Sequence, residues 1–249
     1  MDKKKRFKKI TKDIQDLKIQ GAKEIAKKGF YAYTLIPTEK SKKKLLNLRP
    51  TEPLLRNVLE KKSYQEVLNH FDFVQDKINK KVLKLIKNGD VIFTHCHSST
   101  VVNALIYAKK KGRKFEVYVT ETRPLFQGRK TFQELRKAKI KVTMFVDSAA
   151  RIAMLKKQGT KKVDKIFFGA DALEKDGVVN KIGSGMFAQI AFENKIPVYV
   201  LSDSWKFSSK KIKLEKRSFR EVWNKFKGVE NPAFEFIPKR FITKIITEK

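Results

Sequence analysis

The sequence predicts an α/β protein in which an N-terminal helical domain precedes a doubly wound parallel sheet. Two features carry this prediction. Apolar residues up to about residue 80 recur at helical spacing, whereas from Asp90 onward short β-branched runs alternate with helical stretches. Such alternation is typical of a parallel sheet covered by helices on both faces. We therefore divide the chain into a helical domain, residues 1–80, and a ligand-binding α/β domain, residues 81–249.

The helical region contains several breaks that should separate its helices. We expect Gly29 to end one helix and the lysine-rich segment 39–44 to connect it to the next. Pro50 and Pro53 should bracket the start of another helix, because proline is favoured in a first helical turn.

In the second region the strands and helices alternate. The predicted strands are 91–95, 115–120, 141–146, 163–168, 197–202 and 241–247, and the predicted helices are 98–111, 129–138, 148–157 and 184–194. Between 171 and 183 the spacing breaks, and Asp176-Gly177 marks a tight turn, so we expect a small hairpin at the sheet edge. Residues 208–230 read as a charged insertion.

The composition limits the classes of protein. The net charge of +32 is spread along the chain, and Lys outnumbers Arg 47 to 11, which indicates a solvated lysine-rich surface and not a specific nucleic-acid reader. No apolar stretch is long enough to span a membrane, and no signal core follows the basic N-terminus. One cysteine excludes an internal disulfide framework. We expect a cytoplasmic protein.

Cys96 is the most informative residue, because it follows an apolar strand where a helix is about to begin. In an open α/β sheet, ligands bind outside the carboxyl ends of the strands. Backbone N–H groups and the helix dipole at this junction should lower the pKa of the thiol and can hold a phosphate. The alternative for a lone cysteine is a small buried hydrophobe.

Asp171 follows another apolar strand, 166–170, and should lie on the same rim as Cys96. A thiolate and a carboxyl with separated pKa values can act as base and acid. The alternative for Asp171 is a turn or helix cap. Asp147 is expected to cap a helix on this rim, and Arg123 either binds an anion or pairs with Glu121.

Three further residues could contact an anion at this rim. Asn180 and Lys181 precede a helix start rich in small residues, and Lys206 follows the strand 197–202. For each lysine the alternative is a solvated surface position.

A metal site is not expected. His95, Cys96 and His97 are consecutive, and neighbours on an extended chain point to opposite faces, so they rarely chelate one ion. His70 lies in the helical region, and the chain has no second cysteine. We predict neither a metal nor a cofactor.

Five motifs together resemble the initiation factor 2B-related family. They are Thr94-His95-Cys96-His97-Ser98, Val119-Thr120-Glu121-Thr122-Arg123-Pro124, Val146-Asp147-Ser148-Ala149-Ala150-Arg151, Gly169-Ala170-Asp171 and Asn180-Lys181-Ile182-Gly183. The family includes archaeal ribose-1,5-bisphosphate isomerases, methylthioribose-1-phosphate isomerases and the regulatory α, β and δ subunits of eukaryotic initiation factor 2B. The resemblance implies an N-terminal helical domain followed by a Rossmann-like domain, and it is nearest to the ribose-1,5-bisphosphate isomerases.

The resemblance also implies roles for individual residues. Cys96 would take the proton and Asp171 would return one, while Arg49, Asn180-Lys181 and Lys206 would bind a phosphorylated sugar. Where these isomerases carry Arg-Gly-Ala, this chain has Gln20-Gly21-Ala22, followed by Lys23, which we include among the substrate-binding residues. A homo-oligomer, either a dimer or a hexamer of dimers, and a nucleotide effector are further implications.

Two functions compete. An aldose–ketose isomerase acting on ribose 1,5-bisphosphate is favoured because both Cys96 and Asp171 are present. A non-catalytic regulatory protein like the α subunit of initiation factor 2B is favoured by Gln20, since glutamine carries no charge where the isomerases have arginine.

Overall fold

The computed structural model describes residues 2–249, and its N-terminal part is helical as the sequence predicts. The helices are α1 (Lys3–Gln15), α2 (Ala22–Leu35), α3 (Glu39–Leu48), α4 (Pro53–Val58) and α5 (Tyr64–Leu85). Pro53 occupies the first turn of α4, the position at which its missing N–H group has no intrahelical partner to lose. Their apolar faces enclose one core, in which Ile14, Ile25 and Leu45 are fully buried.

Two predicted breaks in this region are wrong. Gly29 lies inside α2 and does not end it, because its lack of a side chain serves packing between helices. A Cβ at Gly29 would lie 2.5 Å from Leu55 Cδ1 on α4. The lysine-rich segment 39–44 is helical and belongs to α3, which Thr38 caps by accepting a hydrogen bond from Ser41 N.

Helix α5 joins the two parts of the molecule. Its first half packs Val67 and Phe71 into the N-terminal core, and its second half packs Ile78 and Val82 against the sheet. The division at residue 80 therefore falls within one continuous helix, and it stays a prediction.

A six-stranded parallel sheet forms the centre of the C-terminal part. Its strands are β1 (Val91–Thr94), β2 (Glu116–Thr120), β3 (Lys141–Phe145), β4 (Lys165–Phe168), β7 (Val198–Leu201) and β9 (Lys244–Ile246). They are ordered β3-β2-β1-β4-β7-β9, and every pairing is parallel. This is the doubly wound order, and the prediction of a Rossmann-like fold is confirmed.

Helices cover both faces of this sheet. They are α6 (Ser99–Lys110), α7 (Gln127–Lys137), α8 (Ala150–Met154) and α9 (Ser184–Glu193). Helices α6 and α7 enclose one apolar core together with α5, and α8 and α9 enclose the other. Helix α8 is shorter than the predicted 148–157, because the chain first makes a 3₁₀ turn at Asp147–Ala149 and then leaves the helix at Leu155.

The expected hairpin is present, formed by β5 (Ala172–Glu174) and β6 (Gly177–Lys181). Its expected place at the sheet edge is wrong, because it follows β4, an interior strand paired on both sides, and belongs to a separate sheet. A third strand, β8 (Phe234–Pro238), pairs antiparallel with β6 and was not predicted. Residues 208–230 form no strand or α-helix and contain one 3₁₀ turn, Phe219–Glu221. Among residues 2–249, no helix is both long and apolar enough to cross a membrane.

Gly128 should be essential to the junction between β2 and α7. A Cβ there would lie 1.8 Å from the backbone oxygen of Thr120, which cannot move without shifting the strand. We expect Gly128→Ala to lower the free energy of unfolding by about 3 kcal/mol, at the upper end of overpacking costs, in urea titrations. Lys137→Ala, on the exposed face of the same helix, should change it by less than about 0.5 kcal/mol. Equal stability of the two variants would contradict this packing.

Candidate active site

The two strands at the centre of the sheet end at the candidate site. Cys96 follows β1 and Asp171 follows β4; these strands are neighbours in the sheet, and the winding of the chain reverses between them. Ligands bind at this switch point in doubly wound folds. Gly169 lets α6 begin close beside β4, since a Cβ there would lie 2.6 Å from Ser98 Oγ.

A cleft of roughly 630 Å³ opens between this edge of the sheet and the N-terminal helices. All the site residues singled out in the sequence line it: Gln20, Gly21, Ala22, Lys23, Arg49, Cys96, Asp171, Asn180, Lys181 and Lys206. The fold thus gathers residues that are up to 186 positions apart in the chain onto one surface. Their roles in binding and catalysis stay predictions.

The backbone of Cys96 is held in an unusual conformation. Its φ is 64°, a left-handed value that a non-glycine residue adopts only when its surroundings impose it. Cys96 N donates to Thr122 Oγ1 (3.0 Å), and Cys96 O accepts from Thr131 Oγ1 (2.8 Å). Thr122 itself has a φ of 65°. These contacts fix the chain at the point where the half-buried Cys96 side chain reaches the cleft.

Asp147 holds the Thr122 loop and does not cap a helix, so the prediction of a cap is wrong. Its two carboxylate oxygens accept from Thr122 N (2.9 Å) and Arg123 N (2.7 Å). Glu121 pairs with Arg129 (3.2 Å), and the Arg123 guanidinium lies over the Phe126 ring. These contacts hold the loop after β2, which contains Thr122 and thereby positions Cys96.

The two histidines beside Cys96 are neutral near pH 7. Burial lowers the pKa of His95 to about 4, and burial together with the charge of Lys130 lowers that of His97 to about 4. His95 Nε2 lies 2.9 Å from Ile182 O, which can only accept, so Nε2 carries the hydrogen and Nδ1 accepts from Thr120 Oγ1. His95 thus connects β1 and β2 to the turn that follows Lys181.

Burial raises the pKa of the Cys96 thiol, and the expectation of a lowered value is wrong. The positive charge of Lys181 acts in the opposite direction, and the negative charge of Asp171 adds to the rise. The free energy lost by removing the thiolate from water is larger here than the free energy gained from the nearby cations. Lys181 and Asp171 line the same cleft as Cys96.

Four cations surround Asp171. Burial raises the pKa of this carboxyl, against the charges of Lys206, Lys181, Arg49 and Arg217, in that order. The ammonium groups of Lys206 and Lys181 are held on the wall of the cleft. Lys206 Nζ donates to Ala170 O (2.5 Å), and Lys181 Nζ lies 4.6 Å from the centre of the Phe234 ring.

Asn180 is also fixed, by a hydrogen bond from its Nδ2 to Ser184 Oγ (2.9 Å). It is buried at the end of β6, immediately before Lys181.

The N-terminal residues close the other side of the cleft. Gly21 has a φ of 83° and begins α2, with Ala22 buried behind it. Gln20 is exposed, and its amide donates to Leu17 O (2.7 Å) and accepts from Gln127 Nε2 (3.3 Å). Lys23 lies over the Phe71 ring, and burial lowers its pKa. The uncharged Gln20 thus joins the two sides of the cleft mouth.

Sequence reasoning missed several residues of the cleft wall, including Glu52, His97, Ser98, Ser99, Thr100, Lys130 and Arg217. The N–H groups at the start of α6 are expected from the sequence to hold a phosphate, and the same argument would have named the individual residues Ser98–Thr100. Arg217 lies in the irregular segment 208–230, and its place depends on contacts with Glu215 and Phe234 that no local pattern indicates.

One group of possible metal ligands exists within residues 2–249, formed by His70, Asp203 and Glu248. Their ligand atoms already have partners. His70 Nε2 bonds to Asp203 (2.9 Å), Asp203 accepts from Trp205 N (2.8 Å), and Glu248 accepts from Ser204 N (3.1 Å). These contacts attach α5 to the chain end, which is a structural role.

Comparisons with known proteins agree with the motifs. The Initiation factor 2 subunit family model matches residues 38–249. A ribose 1,5-bisphosphate isomerase of Archaeoglobus fulgidus is 33% identical, over 94% of this chain and 86% of that protein. A putative translation initiation factor eIF-2B subunit 2-like protein of Pyrococcus furiosus is 30% identical, over 96% and 94%. The solved Pyrococcus horikoshii translation initiation factor eIF-2B superimposes with a TM-score of 0.85 at 26% identity, over 98% and 95%.

The clamp on Cys96 can be tested by Thr122→Val, which keeps the shape of a fully buried side chain and removes its oxygen. The Cys96 N–H group then loses its acceptor, so we expect the free energy of unfolding to fall by about 1–3 kcal/mol in urea titrations. Thr143→Val, at an exposed position of β3, is the matched control and should change it by less than about 0.5 kcal/mol. If both substitutions have the same effect, Thr122 does not hold the Cys96 backbone.

Proposed function

The chain belongs to the Initiation factor 2 subunit family, and we propose that it is a sugar-phosphate aldose–ketose isomerase that converts ribose 1,5-bisphosphate to ribulose 1,5-bisphosphate. The observation that carries the proposal is the placement of Cys96 and Asp171 on one cleft at the switch point, among four cations. The choice of ribose 1,5-bisphosphate as the substrate is supported by the relatives that are named ribose 1,5-bisphosphate isomerase.

The chemistry needs one base and one acid. Asp171, as the carboxylic acid, gives its proton to the ring oxygen O4 as the C1–O4 bond breaks, and Cys96, as the thiolate, removes the proton from C2. The Cys96 thiol then returns this proton to C1 while the Asp171 carboxylate takes the proton of O2, which leaves the ketone at C2 and restores both groups. The active form of the pair therefore holds one proton, on Asp171. The raised pKa of Asp171 favours its role as acid, and Lys181 favours the thiolate by opposing the effect of burial.

The charges in the cleft match the charge of the substrate and of its intermediate. Removing the C2 proton produces an enediol-like species that is phosphorylated at O1, and its O2 gains negative charge as it loses its proton. Lys181 and Lys206 stabilise that charge from fixed positions. Two phosphate groups require further cations, which Arg49 and Arg217 supply, and the start of α6 supplies N–H donors. Binding energy from the phosphates helps to drive the step at the reacting carbons.

A regulatory protein is the second candidate, and Gln20 is the observation that favours it. Its amide is engaged with Leu17 and Gln127 at the mouth of the cleft and adds no charge for a phosphate. Such a protein would bind a sugar phosphate or nucleotide without turning it over, and would contact initiation factor 2. The nucleotide effector and the homo-oligomer stay predictions from the resemblance.

Purified protein incubated with ribose 1,5-bisphosphate should produce ribulose 1,5-bisphosphate, detected by mass spectrometry and NMR. We expect Cys96→Ser and Asp171→Asn each to lower kcat by about 10²- to 10⁴-fold, the range for a lost acid or base. Asp176→Asn, which changes an exposed carboxylate of the hairpin, should keep full activity. If the folded protein converts no phosphorylated pentose, the isomerase is excluded, and capture of initiation factor 2 becomes the test of the regulator.

The pH profile of kcat should be a bell, because the pair is inactive with no proton or with two. The acid limb reports Asp171 and the alkaline limb reports Cys96, each displaced upward by burial. Lys181 lowers the pKa of both groups, so Lys181→Met should move the alkaline limb to higher pH. Lys175→Met, an exposed change in the hairpin, should leave both limbs in place. An alkaline limb that does not respond to Lys181→Met would contradict the assignment of this limb to Cys96.

A further inference from the structure

The wall of the cleft contains a buried ion pair that is poorly matched. Arg49 and Glu52 are each 4% exposed, and their one contact joins Arg49 Nη2 to Glu52 Oε1 at 3.4 Å. Two buried side-chain atoms within residues 2–249 have no hydrogen-bond partner, and they are Arg49 Nη1 and Glu52 Oε2. Buried polar atoms are almost always paired, because leaving one unpaired costs about 1–3 kcal/mol.

Arg49 and Glu52 form one hydrogen bond, whereas an arginine and a carboxylate commonly form two parallel hydrogen bonds. Here Arg49 is drawn instead toward Glu215, whose Oε2 accepts from Arg49 Nε at 3.1 Å. Glu215 Oε1 accepts from Arg217 Nε at 3.1 Å, so this one carboxylate serves two guanidinium groups. Arg49, a residue of the cleft wall, consequently keeps one buried guanidinium nitrogen, Nη1, without an acceptor.

Glu52 could provide the acceptor that Arg49 Nη1 lacks, and the charge of Glu52 depends on its neighbours. It lies at the start of α4 and faces Arg49, Asp171, Lys206 and Glu215. Burial and the negative charge of Asp171 raise the pKa of Glu52 to about 7, against the opposing charges of Arg49 and Lys206. Near neutral pH, Glu52 therefore exchanges between a neutral acid and a carboxylate.

We propose that Glu52 is a positioning residue that controls Arg49 through its own proton, and that a phosphate group of the substrate binds to Arg49 only when Glu52 is protonated. When Glu52 is a neutral acid, Arg49 Nη1 and Nη2 can donate hydrogen bonds to the phosphate. The carboxylate pairs with the same N–H groups and repels the phosphate. This inference rests on the proposed function in taking a phosphorylated ligand for the cleft.

The proton balance follows from this competition. A protein molecule with ionised Glu52 takes up one proton from the solvent when phosphate binds, and that proton resides on Glu52 in the complex. A molecule that already holds the proton takes up none. Phosphate affinity should therefore fall as the pH rises through 7.

The test is titration calorimetry of the full chain with inorganic phosphate between pH 6.5 and 8.5, in buffers that differ in ionisation enthalpy. Glu52→Gln is the matched variant, because its amide keeps the size of the side chain and cannot ionise. Across this range the wild-type affinity should fall by about 20-fold relative to the variant. The wild type should also take up protons at pH 7.5 beyond the number that the variant takes up.

A second variant separates titration from packing. Glu52→Asp retains an ionisable group, so its phosphate affinity should again fall with pH, whereas Glu52→Gln should follow the ionisation of phosphate alone. Parallel profiles for wild type and Glu52→Gln would overturn the proposal, as would a wild type that binds no phosphate. Thermal unfolding of each variant establishes that it is folded.

Turnover assays test the proposed isomerase separately from the proposed control of Arg49 by Glu52. If the protein isomerises ribose 1,5-bisphosphate while Glu52→Gln keeps the wild-type pH dependence of phosphate binding, the role of Glu52 is wrong and the function stands. If phosphate binding depends on Glu52 but no sugar phosphate is converted, the isomerase is wrong and the control of Arg49 stands.

Discussion

The left-handed backbone of Cys96 is the constraint on which the site depends. A residue in this conformation costs about 1–3 kcal/mol, and it persists here because Thr122 and Thr131 bind its N–H and C=O groups. Thr122 is held in turn by Asp147. Without these contacts the chain after β1 would relax, and Cys96 would lose its fixed place in the wall of the cleft.

Much of the fold could be predicted from the sequence, because hydrophobic periodicity is a local property. Each of the six parallel strands lies within a run of apolar, β-branched residues, and their alternation with helices implies the winding of the sheet. The failures have a tertiary cause. Gly29 looks like a helix end, but it is a contact point for Leu55, and the strand Phe234–Pro238 is stabilised by pairing with β6.

The position of the site could also be predicted, because residues after parallel strands meet at one edge of the sheet. Its electrostatics could not. A helix start suggests a lowered thiol pKa, whereas burial raises it, and burial depends on the tertiary structure around the cleft, to which distant parts of the chain contribute. Glu52 and Arg217 were missed for the same reason, since their significance arises from charges that are distant in sequence.

The central claim is that Cys96 and Asp171 act on each other across the cleft, and the rate of Cys96 alkylation by iodoacetamide as a function of pH tests it most directly. Cys96 is the only cysteine, so the reaction reports this thiolate alone. The negative charge of Asp171 raises the pKa of the thiol, and Asp171→Asn should therefore move the midpoint of the profile to lower pH. A midpoint that is the same in both proteins would show that the two groups do not interact, and would contradict the account.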